Sequence, residues 1–84
     1  MNNRYKRLDV LIINAIASRK DVYTDENVVS EAKRISNAPG KVYLNLIDER
    51  IIALRGRNEI RYFTGSIAPG GKAGWYITPE VKAT

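Results

Sequence analysis

Among the side chains that most often carry chemistry, this sequence has no histidine and no cysteine. The imidazole and thiolate that serve as general base, nucleophile or zinc ligand are therefore missing. Its acids are Asp9, Asp21, Asp25, Glu26, Glu31, Asp48, Glu49, Glu59 and Glu80, and they show no paired spacing with a basic partner that a mechanism would need. Asp48 and Glu49 are adjacent, so on a helix they point in different directions and cannot share a proton. Gly70-Gly71-Lys72 lacks the flanking glycine and hydroxyl residue of a phosphate-cradling loop. The expectation is a protein that is not an enzyme and holds neither metal nor organic cofactor.

What remains is charge. Fourteen Lys and Arg against nine Asp and Glu give a net charge of +5 and a pI near 9.7. The distribution says more than the sum. Residues 1–20 carry five basic groups and one acid, residues 21–37 two basic and four acidic, and the rest is positive again through Lys41, Arg50, Arg55, Arg57, Arg61, Lys72 and Lys82. A small basic domain without catalytic inventory has the makeup of a polyanion binder.

The elements that would present these charges follow from periodicity. At 84 residues the chain reads as one domain, residues 1–84, with one modest core. From Arg4 to Ser18, Leu8, Leu11, Ile12, Ala15 and Ile16 recur at helical spacing. A second set, Val10, Ile13 and Ala17, widens the apolar face and suggests deeper burial or a homodimer contact through this helix. Val22 and Tyr23 favour extended backbone and allow a very short strand. Thr24 then reads as the N-cap of a second helix running to about Ser36, with Tyr23 and Val28 as a hydrophobic staple and Val28, Ala32 and Ile35 facing inward.

Asn37-Ala38-Pro39-Gly40 is a tight break, and a third helix should begin around Pro39 to Lys41. Its core stripe is Tyr43, Leu44, Ile47, Ile51 and Leu54, with Lys41, Asn45 and Glu49 opposite. It should end near Arg55-Gly56, glycine serving as a left-handed cap. Residues 42–47 also alternate as a strand would, but a strand must break the stripe at Asp48-Glu49-Arg50, which favours the helix. Ile60 to Ile67 reads as a strand, residues 68–74 as a loop, and Gly74 to Thr78 as a returning strand stopped by Pro79.

Two helices joined by a tight turn, then a hairpin with a basic tip, can read duplex DNA. One helix lies in the major groove and the hairpin reaches a neighbouring groove or phosphate run. The helix starts at Thr24 and Pro39 would offer free N–H groups to phosphates. The stretch Arg50-Ile51-Ile52-Ala53-Leu54-Arg55-Gly56, followed by Ile60, resembles the end of the recognition helix in winged helix-turn-helix DNA-binding domains. Gly74-Trp75-Tyr76-Ile77-Thr78 is similar to their last strand. The likeness covers residues 7–79 and has the flavour of small phage, plasmid or mobile-element modules. It implies an α+β winged helix and a sequence-specific binder of double-stranded DNA, a transcriptional regulator. On that likeness Lys41 and Asn45 would meet bases or phosphates, Arg57 and Arg61 the backbone at the helix-to-wing junction, and Lys72 a phosphate at the wing tip. Trp75 would be a core plug under the wing, and Arg4, Lys6 and Arg7 a basic arm.

Asp48 and Glu49 depart from the pattern, because they stand near the expected DNA face and repel phosphates. With the acidic second helix they support a rival from another class, a winged-helix module that docks on a host protein. No apolar run approaches the ~20 residues of a membrane helix, and no export signal reads at the N-terminus. The expected place is a reducing cytoplasm, with no membrane and no small-molecule substrate.

Overall fold

In the computed structural model, which describes residues 4–78, each helix forms where an apolar stripe coincides with good terminal chemistry. α1 spans Lys6–Ala17 and buries Leu8, Ile12, Ala15 and Ile16. It closes with Arg19 N–H on the Ile16 carbonyl (3.1 Å) and Lys20 N–H on the Ala15 carbonyl (2.8 Å), the double closure of a Schellman motif. Arg19 accordingly sits at φ 61°. Of the second apolar set on this helix, Ile13 packs against the core, whereas Val10 and Ala17 are exposed.

Residues 21–25 form a turn and not the short strand that Val22 and Tyr23 allowed. The Asp21 carboxylate accepts from Tyr23 N–H at 2.9 Å, and its carbonyl accepts from Thr24 and Asp25 N–H at 3.2 and 2.9 Å. These bonds consume the backbone groups a strand would need. They also move the cap: Asp25, not Thr24, is the N-cap of α2 (Glu26–Ser36), its carboxylate accepting from Val28 N–H at 3.2 Å. Tyr23 and Val28 thereby leave the staple positions; Val28 is fully buried and Tyr23 faces outward. α2 buries Val28, Ala32 and Ile35 as expected, and Glu31 in addition.

α3 covers Val42–Gly56, starting slightly later than Pro39 with Lys41 as its cap. Gly40 at φ 70° and Asn37 at φ 46° shape the turn between α2 and α3. Gly56 is helical. The left-handed residue is Asn58, at φ 62°, in a second Schellman closure from Asn58 and Glu59 N–H to the Arg55 and Leu54 carbonyls. Two strands follow, β1 (Ile60–Phe63) and β2 (Gly74–Ile77), antiparallel with Ile60 opposite Ile77, Arg61 opposite Tyr76 and Tyr62 opposite Trp75. β1 is shorter than expected because residues 64–68 fold back on the Thr64 carbonyl. Three helices and a two-stranded hairpin make the α+β layout of a winged helix.

One core joins all of these elements. Leu8, Ile12, Val28, Ile47, Leu54 and Ile60 are fully buried, with Trp75 and Ile77 of the hairpin packed against them. On α3, Leu46 is buried and Leu44 only half-buried, because this helix packs against α1 as well as α2 and its inward arc turns toward Tyr5 and Ile35.

The angle between α1 and α3 is held by charge. Arg50 donates to both oxygens of Asp9, Nε to Oδ1 and Nη2 to Oδ2, each at 2.8 Å, with both side chains largely buried. The same guanidinium lies 4.7 Å from the Tyr5 ring centre. Asp9→Ala leaves a largely buried guanidinium without its carboxylate and is expected to cost about 3 kcal/mol by urea unfolding. The paired change Asp9→Leu with Arg50→Met should recover most of that loss, since two apolar side chains can fill the space of a buried ion pair.

Candidate nucleic-acid interface

The outward face of α3 is a stripe at spacings of four and three: Lys41, Asn45, Asp48, Ile52 and Arg55, with Val42 and Glu49 alongside, all exposed. Lys41 and Asn45 share its first turns. No side chain caps this helix and its first turn holds no acid. Leu44 N–H is taken by the Lys41 carbonyl at 3.0 Å, so it is the positive dipole end and the N–H groups before Leu44 that could meet an anion. The start of α2 is the opposite case. Asp25 caps it and Glu26 opens it, so phosphate would meet carboxylates there. Exposed Thr24 stands one residue before that cap, its hydroxyl turned to the Asp21 carbonyl.

More positive charge gathers where α2 turns into α3. Arg4 donates to the Ile35 carbonyl at 3.1 Å, and the Lys33 ammonium lies 5.0 Å from the Tyr43 ring centre. A cleft of about 180 Å³ opens here, lined by Arg4, Ser36, Val42, Asn45 and Glu49 among others.

The other expected contact residues are dispersed. Arg57 caps the far end of α3, about 24 Å from Lys41 at 1.5 Å per residue. It is engaged with acids, 2.7 Å from Glu59 and 3.5 Å from Asp9. Arg61 is exposed on β1, its guanidinium 5.8 Å from the Phe63 ring centre. Lys72 follows the 3₁₀ turn Pro69–Gly71 at the wing tip and is exposed. Trp75 is partly buried against the core, as a plug would be. Arg55 and Arg19 were missed: Arg55 completes the α3 stripe that the sequence reading followed only to Glu49, and Arg19 carried no local pattern.

Asp48 and Glu31 are tied down as well. Tyr23 donates its hydroxyl to Asp48 Oδ1 at 2.5 Å. Partial burial, reinforced by that carboxylate, pushes the phenol up to about 12. Glu31 accepts from Arg34 at 3.0 and 2.6 Å and lies 3.6 Å from Arg7. No family model, no curated protein and no solved structure matches this chain. No helix among the described residues is long and apolar enough to cross a membrane.

The hydrogen bonds from Arg34 hold the Glu31 carboxyl below its ordinary value of 4.5 against an opposing effect of burial. The folded chain therefore binds this proton less readily than the unfolded chain, so the stabilisation is complete above pH 4.5 and fades as pH falls through the folded value. In urea unfolding across pH 7 to 3, the advantage of wild type over Glu31→Gln should be constant near neutrality and shrink below 4.5.

Proposed function

We propose that this protein binds double-stranded DNA sequence-specifically, as a regulator of the winged helix-turn-helix kind. The observation that carries the reading is the pairing of Lys41 and Asn45 on the open first turns of α3, the second helix of a helix-turn-helix. The N-terminal half of α3 enters the major groove, where Asn45 can pair with adenine and Lys41 meets guanine or phosphate. Arg61 and Lys72 bring the wing to the backbone. Arg57 contributes less, being shared between Glu59 and Asp9. A dimer through α1 would rest on Val10 and Ala17, since Ile13 is engaged in the chain's own core.

The second reading, a module that docks on a protein, is favoured by one feature. Ile52 is 69% exposed on the same helix as Asp48 and Glu49. In the DNA reading these residues stay outside the groove, beyond the first turn and a half.

Titrating duplex DNA at several salt concentrations tests both. Groove reading predicts log K falling against log salt by about 0.9 per phosphate contact, several units in all. At a selected site, Asn45→Ala should cost about 1–3 kcal/mol and relax the base preference. Asp48→Asn should tighten binding by removing a repulsive charge. Binding that is absent or insensitive to salt would reject the DNA reading in favour of docking.

A further inference from the structure

Arg19 occupies a left-handed backbone position, φ 61°, where glycine closes a Schellman motif without steric cost. An arginine held there points to a task for its side chain. The guanidinium stacks on the Tyr76 ring, 3.9 Å from its centre, and donates to the Trp75 carbonyl at 3.3 Å. Tyr76, itself buried, donates its hydroxyl to the Lys72 carbonyl at 2.5 Å. A continuous set of contacts thus runs from the end of α1 through β2 to the lysine at the wing tip. Beside it lies a cleft of about 250 Å³ between the α1–α2 turn and β2, lined by Ile16, Arg19, Tyr23, Ala73 and Trp75 among others.

We infer that Arg19 and Tyr76 are positioning residues that fix the wing so that Lys72 meets a DNA phosphate. This rests on the duplex-binding reading. Arg19 anchors β2 to the helical body through a planar stack, and Tyr76 passes that anchorage to the backbone of Lys72. A two-stranded ribbon has little rigidity of its own, so its tip stands where such a clamp holds it.

The test uses the full-length chain and two readouts: the salt slope of duplex binding, and the emission of Trp75, which is the single tryptophan. Lys72→Ala should lower the slope by about one unit, one phosphate contact. Arg19→Lys keeps the charge but loses the planar stack. It should lower the slope by the same amount and shift Trp75 emission to the red. Combined with Lys72→Ala it should cause no further loss. Arg19→Gly, which also relieves the backbone, should behave likewise while unfolding at or above the wild-type midpoint. Tyr76→Phe should lower the slope with Trp75 emission unchanged. A wild-type slope retained in Arg19→Lys, or losses that add in the double variant, would make Arg19 an ordinary charge or a purely structural contact and overturn the inference. A wild-type chain without salt-dependent duplex binding would overturn the functional reading itself, and with it the task assigned to the clamp.

Discussion

Asp9 projects from the first turns of α1 into the angle it makes with α3, where Arg50 grips both of its oxygens and Arg57 approaches from the next turns of α3. Bidentate pairing constrains direction as well as distance, which apolar contacts between Leu8, Ile12, Ile47 and Ile51 do not. With that angle fixed, Arg57 is also held against Glu59, so the exit from α3 into β1 is directed. The outward stripe of α3 and the root of the wing are therefore oriented by the same carboxylate. Arg50 has left the surface together with Asp9, so the pair leaves the net charge of +5 unchanged while taking one basic residue out of reach of a ligand.

Charge on the surface is sorted by helix end. The start of α2 has Asp21, Asp25 and Glu26 around its N–H groups, stabilising the helix by local capping and dipole effects. The start of α3 has none of these and is flanked by Lys41. A carboxylate thus caps one helix, whereas the next has no side-chain cap, turns Leu44 N–H back to the Lys41 carbonyl, and carries Asn45 one turn on. Asp48 is drawn aside by the Tyr23 hydroxyl, so the middle of α3 has a local partner for one of its two outward acids.

The sequence made the helices legible because their apolar residues recur over several turns, and made β2 legible because Gly74 and Pro79 bound an aromatic run. Lys41 and Asn45 could be read as neighbours for the same reason, since i and i+4 share a face on any helix. What failed was decided by contacts that local pattern does not contain. Thr24 and Asp25 are both good caps, and the turn organised by Asp21 chose between them. Leu46 displaced Leu44 because α3 has two neighbours, whereas a single-stripe reading assumes one. The Asp9–Arg50 pair spans 41 positions in sequence, and periodicity assigns charged residues to water by default. Arg57 looked available until Glu59 and Asp9 were seen beside it.

The two strands are four residues each and, among the described residues, have only each other as hydrogen-bonding neighbours within the sheet. A ribbon of that size does not hold by itself in water, so its persistence is borrowed from Ile60, Trp75 and Ile77 seated on the helices. The helices do not depend on it to the same degree: Leu8, Ile12, Val28, Ala32, Ile47 and Leu54 bury one another. The hairpin is therefore expected to open locally, short of global unfolding, even though its Ile60 shares the helices' core. Its amides would exchange with solvent through that local opening while those of α1 to α3 wait for the whole chain to unfold. The outward face of α3 would therefore outlast the hairpin, and the two would differ in lifetime as well as in place.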